Sequence, residues 1–138
     1  MQETAPAEFE ALRNRRCNAL LIRERAVAGE CRGECEAVYL QLDDDRWIAL
    51  TPDRARAAYL IKDSDAVQAQ RAFSDGEFYY PIYDAGALRR LNGLRIDRAW
   101  QQCLGDRLEL CLEFSNATDL TVHYDLVTGG SSRYFIND

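Results

Sequence analysis

Two stretches of the chain, residues 36–53 and 108–125, alternate between apolar and polar residues in the same way. A period of two is typical of strands that bury one face. Each stretch contains two alternating runs separated by a short polar segment, which predicts a β-hairpin. The corresponding apolar positions are Val38, Leu40, Leu42, Ile48 and Leu50 in the first stretch, and Leu110, Leu112, Phe114, Leu120 and Val122 in the second. We therefore predict two antiparallel hairpins with matching register.

The correspondence extends beyond the hairpins. Residues 21–27 resemble residues 94–100, and residues 59–61 resemble residues 134–136. Gly33 and Gly105 precede the two hairpins at matching positions, where glycine is expected to form a tight turn. These observations predict two pseudo-repeats, at approximately 17–61 and 91–136. The alternative is that any two β-hairpins share this pattern by chance.

The pattern near the start of the chain predicts a helix over residues 6–16. Phe9 and Leu12 would share one face of this helix, and its last turn is rich in arginine, which the helix dipole favours. Residues 17–27 form the first predicted strand, and residues 28–34 a glycine-containing turn.

Three further segments show helix or turn signals. Thr51-Pro52-Asp53 has the composition of a helix start, which predicts a short helix over residues 54–59. Ser64 is a candidate cap for a helix over residues 65–73, and residues 87–91 form a turn or a short helix. Between them, the aromatic segment 78–83 is extended and is interrupted by proline, so we predict an edge strand or a loop there.

The predicted fold class is α+β and sheet-dominated. We expect an antiparallel sheet or a partly closed barrel, built from the two pseudo-repeats, with an N-terminal helix and one or two short helices. A chain of 138 residues without a long linker is expected to form a single domain, residues 1–138. At this length it can bury roughly two-thirds of its unfolded surface, so neither a metal ion nor a disulfide is needed for folding.

The formal net charge of -6 constrains the class of partner. Nucleic acids and anionic membranes both attract basic surfaces, so neither is an expected partner. The charge favours solubility or a basic protein partner. The start of the chain is acidic, and no apolar stretch approaches the roughly 20 residues of a membrane span, which predicts a cytoplasmic protein.

Candidate catalytic and metal-binding groups are few. The five cysteines are an odd number, which favours free thiols. Only His123 could complete a metal-ligand set with Cys103 and Cys111, whereas structural zinc sites use two close-spaced ligand pairs. Because His123 is the only histidine, a two-histidine mechanism is excluded, and no glycine-rich phosphate loop occurs. We expect a protein that is not an enzyme and that needs no cofactor.

Two surfaces are candidates for binding a partner. One is a run of three aspartates at the predicted tip of the first hairpin, and the other is the aromatic segment 78–83 with its acidic neighbours. Exposed tyrosine beside carboxylates is typical of protein-binding patches. The predicted partner-binding residues are Asp43, Asp44, Asp45, Asp75, Glu77, Tyr79 and Tyr80.

Residues 91–96, 105–114 and 120–122 together have a familiar pattern. The sequences Leu-Asn-Gly-Leu-Arg-Ile, Gly-Asp-Arg-Leu-Glu-Leu-Cys-Leu-Glu-Phe and Leu-Thr-Val resemble the β-rich immunity proteins of bacterial polymorphic and contact-dependent toxin systems. The resemblance covers about 35 residues. It implies a cytoplasmic protein without catalytic activity that binds a cognate toxin domain, and it carries over no fixed functional residues.

Two functions from different classes are therefore expected. The first is an acidic, non-catalytic binding protein that neutralises a basic toxin domain by covering its active site. The alternative is a small-ligand or regulatory binding module with a cleft between the two repeats. A deep cavity lined by Trp47 or Trp100 would favour the second function.

Overall fold

The computed structural model describes residues 9–27, 30–129 and 132–138. Within these residues the chain forms strands and two short helices. The strands are β1 (Arg16–Val27), β2 (Glu30–Leu42), β3 (Trp47–Asp53), β4 (Ala58–Ser64), β5 (Phe73–Ser74), β6 (Tyr79–Tyr80), β7 (Ile82–Asp84), β8 (Leu94–Leu104), β9 (Arg107–Phe114), β10 (Asp119–Asp125) and β11 (Ser132–Asn137). The helices are α1 (Ala66–Ala69) and α2 (Ala85–Leu88).

Six strands close into an antiparallel barrel in the order β1-β2-β11-β10-β9-β8. The ring closes because β1 pairs with both β2 and β8, and because β11 pairs with β2 at Arg133 and Glu34. Strands β3 and β4 extend the sheet from β2. Each half of the chain is thus a four-stranded meander, β1–β4 and β8–β11, and the two halves share the barrel.

The main core lies inside the barrel and is built by the alternation seen in the sequence. Inward-facing residues of both halves are fully buried, among them Leu20, Ile22, Leu40, Leu50, Leu110, Leu112 and Leu120. Period-two alternation places their polar neighbours on the outer face. The sheet-dominated fold class and its antiparallel sheet are therefore confirmed, and the barrel is closed.

The two hairpins pair in the same register. Val38 lies opposite Leu50 as Leu110 lies opposite Val122, and Leu40 lies opposite Ile48 as Leu112 lies opposite Leu120. Both turns have four residues, and the third has a positive φ, 65° at Asp45 and 70° at Ala117. This local correspondence is what the alternating pattern predicts.

The flanking segments do not correspond in the same way. Gly33 lies within β2 rather than in a turn, whereas Gly105 has φ 63° in the β8–β9 turn. Val27 pairs with Glu30 beside the first turn, whereas Trp100 pairs with Cys111 in mid-strand. The predicted turn over residues 28–34 is wrong from Glu30 onwards. Matched pairing is thus limited to the hairpins, and duplication of the whole repeat stays a prediction.

The predicted helix over residues 6–16 is not confirmed. Residues 6–8 lie outside the described residues, residues 9–10 are helical, and residues 11–14 form a turn. Asn14 N donates to the carbonyl of Ile96 at 2.7 Å, and Ile96 N donates to the carbonyl of Arg15 at 2.8 Å. Both hydrogen bonds join the backbone of residues 14–15 to β8 instead of to a preceding helical turn. The segment therefore turns at Asn14 and becomes β1 at Arg16.

The helix predicted over residues 54–59 is wrong. Strand β3 continues through Asp53, residues 54–57 form a turn, and β4 begins at Ala58. Ala58 and Tyr59 are buried, and the strand pairing that buries them overrides the helix-start signal. Pro52 is tolerated because the pairing of β3 with β2 ends at Leu50.

The remaining short elements agree in part with the sequence. Helix α1 is capped by Asp65, whose carboxylate accepts from Gln68 N at 2.8 Å, rather than by Ser64. The helix ends at Ala69, well before the predicted end at residue 73. Pro81 separates β6 from β7, as the sequence predicts, and α2 begins two residues earlier than expected.

A second apolar cluster lies on the outer face of the first meander. It contains Leu21, Ala37, Tyr39, Trp47 and Ala49, covered by Ala69 of α1 and by Ile82 of β7. We call residues 65–84 the covering segment. It includes α1 and β5–β7, so the outer face of β1–β3 is buried by the chain itself.

Candidate functional site

The covering segment contains a hairpin, β5–β6, whose turn is closed by Asp75. One carboxylate oxygen of Asp75 accepts from Phe78 N at 2.7 Å and from Glu77 N at 3.1 Å, and the other accepts from the Tyr80 hydroxyl at 3.1 Å. The bond from Phe78 N is the largest of the effects that lower the pKa of Asp75. Asp75 therefore stabilises the turn and keeps its negative charge.

Arg23 anchors this hairpin to the barrel. Its side chain is buried, and its Nε donates to Glu36 at 2.7 Å while an Nη donates to the Tyr39 hydroxyl. The other Nη donates to the carbonyls of Gln68 at 3.2 Å and Arg71 at 3.4 Å. One buried guanidinium thus joins β1 and β2 to the chain that leads from α1 into β5.

Aromatic rings stack around this anchor. The Phe73 and Tyr80 rings are stacked with centroids 4.5 Å apart, and the Arg23 guanidinium lies 5.4 Å from the Phe73 centroid. The Arg25 guanidinium lies 4.8 Å from the Phe78 centroid. Such cation–π contacts stabilise an aromatic cluster. Tyr80 is therefore a packing residue within the hairpin.

Tyr79 points the other way and is 47 % exposed. It follows the turn residues Asp75 and Glu77, both of which are exposed. The covering segment carries four acidic residues and one arginine, a formal charge of -3 out of -6 for the chain, and it holds five aromatic residues. The hairpin tip thus presents a tyrosine next to carboxylates on a backbone held by Arg23.

The three aspartates at the β2–β3 turn have a different environment. An Arg15 guanidinium nitrogen lies 2.6 Å from Asp43 and 3.2 Å from Asp44. The hydrogen bond from Arg15 lowers the pKa of Asp43, and the bond from Arg46 N lowers that of Asp44. Asp45 adopts φ 65° in the turn. Two of the three charges are therefore partly compensated within the chain.

The structure does not bring the two predicted surfaces together. Leu42, which precedes the aspartate turn, pairs with Cys17 at one end of β1. Tyr79 pairs with Ala26 at the other end of the same strand. Nine residues at about 3.3 Å each separate these points by roughly 30 Å along the strand. The seven predicted partner-binding residues therefore form two distinct surfaces.

Three surface depressions add candidate ligand sites. A cavity of about 270 Å³ lies between the two halves of the chain and is lined by Arg25, Glu34, Cys35, Glu36, Thr51, Pro52, Tyr124 and Gly129. A second, of about 420 Å³, is lined by second-half residues that include Arg107, His123 and Arg133. Trp100 lines a groove of about 170 Å³, and Trp47 is buried in the outer cluster. Neither tryptophan lines the two larger cavities described above.

His123 and Cys111 contact different side chains. His123 Nε2 lies 3.3 Å from Glu109, whereas Cys111 Sγ lies 3.7 Å from the Thr121 hydroxyl. Burial raises the pKa of Cys111 to about 11, so the thiol is protonated at neutral pH. Cys17, Cys35, Cys103 and Cys111 are free thiols, and the side chain of Cys31 lies outside the described residues.

In the part of the chain that the structure describes, potential metal-ligating side chains are dispersed and the helices are short. No cluster of three or more histidine, cysteine, aspartate or glutamate side chains there could hold a metal ion. No helix there is long and apolar enough to cross a bilayer.

Sequence reasoning missed Arg23, Glu36 and Phe73, which hold the hairpin in place. An arginine directly after the apolar run 19–22, on the face opposite to Ile22, was the available signal. Its partners Gln68 and Arg71 are more than 40 residues away, so no local pattern identifies them.

Comparison with known proteins identified no relative. A scan against protein-family models and searches of curated proteins and of solved structures found no match to this chain.

Proposed function

We propose that the protein is a cytoplasmic, non-catalytic binding protein that docks a basic domain of another protein. The immunity-protein resemblance suggests stoichiometric occlusion of a toxin domain. The observation that carries the proposal is the β5–β6 hairpin, in which Tyr79 is 47 % exposed beside Asp75 and Glu77 while its neighbours are packed by Arg23.

Two physical arguments support docking through this hairpin. A tyrosine on a rigid backbone loses little conformational entropy on binding, and such residues are frequent energetic hot spots. The formal charge of -3 on the covering segment would steer a basic partner and raise the association rate. The aspartate turn contributes to the same long-range field, but Arg15 reduces its contribution.

The test uses the product of the gene adjacent to this one, with binding kinetics measured at two salt concentrations. Tyr79→Ala should speed dissociation about tenfold or more, as expected for loss of a hot-spot aromatic. Glu77→Gln should slow association at low salt and have little effect at high salt. Asp45→Asn, at the other end of β1, is the charge-matched control and should change association less than Glu77→Gln. Unchanged dissociation in Tyr79→Ala would place the contact surface elsewhere.

A second candidate, small-ligand binding, is favoured by one observation. The cavity of about 270 Å³ takes its lining from both halves, with Glu34 and Glu36 on one side and Tyr124 and Gly129 on the other. Because Glu34 and Glu36 already pair with Arg25 and Arg23, the remaining polar groups favour a small hydroxylated ligand over a cation. Amide chemical shifts of residues 34–36 and 51, recorded against a set of small amines and polyols, test this function. Shifts confined to other regions would exclude the cavity.

A further inference from the structure

The outer face of the second meander carries an apolar row that crosses four strands. Trp100 pairs with Cys111, Cys111 with Thr121, and Thr121 with Phe135, so one residue from each of β8–β11 lies in the row. Phe135 is 46 % exposed. The row ends in an aromatic ring on each side, and four strands at about 4.8 Å make it roughly 14 Å long.

Four charged residues beside this row already have side-chain partners. The Arg98 guanidinium lies 4.3 Å from the Trp100 ring and 3.6 Å from Glu113, and Asn137 donates to Asp119 at 3.0 Å. On the other side, Glu109 lies 3.3 Å from His123 and accepts from Gln102 at 3.1 Å. An apolar centre with a satisfied polar rim is the usual anatomy of a protein interface.

The corresponding outer face of the first meander is covered by the chain itself. Because the two hairpins share a register, the pair Cys111–Thr121 corresponds to Tyr39–Ala49. Tyr39 and Ala49 are buried beneath the covering segment, and the cluster that it completes contains no residue of β8–β11. The chain therefore covers one of two corresponding faces and leaves the other with an exposed phenylalanine.

We propose that a second copy of this chain packs on the outer face of β8–β11. The charge of the rim supports a second copy as the occupant. The rim contains two arginines and three acidic residues and so has a formal charge of -1, whereas the whole chain has -6. These rim residues are Arg98, Arg133, Glu109, Glu113 and Asp119. Two copies meet there with less like-charge repulsion than their overall acidity imposes elsewhere. The negative charge that would attract a basic partner is smaller on this face than on the covering segment.

A twofold axis parallel to the strands, between β9 and β10, makes the face self-complementary. This axis places β8 of one copy over β11 of the other, so Trp100 meets Phe135 twice, and His123 faces Glu109 twice. Residues that exchange contacts in this way are the mark of an isologous interface. Glu113 faces Asp119, an unfavourable pair that Arg98 and Asn137 offset within each copy. We expect a weak dimer, with a Kd on the order of 10 µM to 1 mM.

Sedimentation equilibrium of the full chain, at concentrations up to about 1 mM, tests the proposal. The wild type should show a reversible monomer–dimer equilibrium. Phe135→Asp and Thr121→Arg, which each bring a charge into the row, should weaken dimerisation at least tenfold. The matched control is Leu88→Asp, which adds a charge at a leucine that is 67 % exposed in α2 and should leave the Kd unchanged.

Several outcomes overturn the proposal. The proposal is wrong if the wild type stays monomeric at about 1 mM. It is also wrong if the dimer persists in both Phe135→Asp and Thr121→Arg, or if Leu88→Asp abolishes the dimer. Circular dichroism identifies any variant that does not fold, and the other row variant then decides. The proposal is independent of the proposed function, because Tyr79→Ala leaves this face intact and should not change the dimer Kd.

Discussion

At the scale of single residues, the buried side chain of Gln101 bonds to the backbone of β4, a strand at one end of the sheet. Gln101 is 5 % exposed and faces the interior from β8. Its amide oxygen accepts from Tyr59 N at 2.7 Å, and its amide nitrogen donates to the carbonyl of Tyr59 at 3.1 Å. The side chain thus pairs with β4 as a neighbouring strand would, and it satisfies backbone groups that are costly to bury unpaired.

Replacing Gln101 with leucine should destabilise the protein by about 2–6 kcal/mol, because two buried backbone groups lose this partner at about 1–3 kcal/mol each. Urea denaturation measures the change. Gln102→Leu is the control. The side-chain amide of Gln102 donates to the Glu109 side chain rather than to backbone, so this substitution should lower the free energy of unfolding by less than about 1 kcal/mol. Equal costs for the two variants would show that the amide of Gln101 does not close the edge of β4.

The buried thiol of Cys17 makes stability depend on alkaline pH. Burial raises its pKa to about 12, whereas an unfolded thiol ionises near 8.5. As pH rises above about 8.5 the unfolded state loses this proton first, so the free energy of unfolding falls until the folded thiol ionises near pH 12. Each pH unit in this window removes up to about 1.4 kcal/mol.

Cys17→Ala should therefore show a shallower loss of stability than the wild type between pH 8.5 and about 10.5. Urea denaturation of both proteins across this range measures the difference, and other alkaline titrations cancel in the comparison. Parallel curves would contradict the expectation and indicate that the folded thiol ionises as readily as the unfolded one.

At the scale of elements, the β2–β3 and β9–β10 hairpins could be read from the sequence because their signal is local. Alternation sets which residues face the core, and the four-residue turns set the register. The segments that sequence reasoning misplaced respond to distant partners. Asn14 and Arg15 bond to Ile96, and residues 58 and 59 pair with β3 where a helix was expected. Propensity is a weak prior against such tertiary pairing.

The matched register predicts matched energetics. Leu40→Ala and Leu112→Ala remove corresponding side chains, both fully buried in the same core, so each should cost about 2–5 kcal/mol. Leu88→Ala, at a largely exposed position, should change stability by less than about 0.5 kcal/mol. Thermal or urea unfolding measures all three. A cost near zero at either buried leucine would contradict the equivalence of the hairpins.

The sequence predicted only part of the candidate site. Asp75, Glu77, Tyr79 and Tyr80 are close together because they lie within six residues, and composition alone identified them. The chain that leads into this hairpin is bonded to Arg23, which lies in β1 and is more than 40 residues away in sequence. Only the fold shows that the aspartate turn lies at the opposite end of that strand.

Arg23→Met should therefore loosen the β5–β6 hairpin. The change removes the donor for two backbone carbonyls and for Glu36, and breaking a buried ion pair costs about 3–5 kcal/mol, a value reduced here because Glu36 is about one-third exposed. Amide hydrogen exchange should speed up at residues 73–80 before it does in β9 and β10. Arg71→Met is the control, since Arg71 is exposed and its guanidinium lies 5.3 Å from the Phe73 ring centroid. Uniform loss of protection in Arg23→Met would show that Arg23 stabilises the whole barrel rather than the hairpin.

At the scale of the whole molecule, ring closure links the two meanders. Strand β1 pairs with β8 through Cys17 and Leu94, and β2 pairs with β11 through Glu34 and Arg133. The core residues of both halves form one cluster, and Gln101 bonds across the halves to Tyr59. Neither meander can bury its inner face without the other, which is the physical reason to expect one cooperative unit.

Each meander contains one tryptophan, which allows cooperativity to be tested directly. Trp47→Phe leaves Trp100 as a probe of the second half, and Trp100→Phe leaves Trp47 as a probe of the first. In each variant, the urea midpoint from tryptophan fluorescence should coincide with the midpoint from far-ultraviolet circular dichroism, as two-state unfolding requires. Comparing the two signals within one variant removes any effect of the substitution on stability. If Trp100 reported a transition that Trp47 did not, the halves would unfold separately, and the chain would be two stable units joined by weak strand pairing. We expect coincidence, because separating the halves would expose the apolar inner faces of both sheets to water.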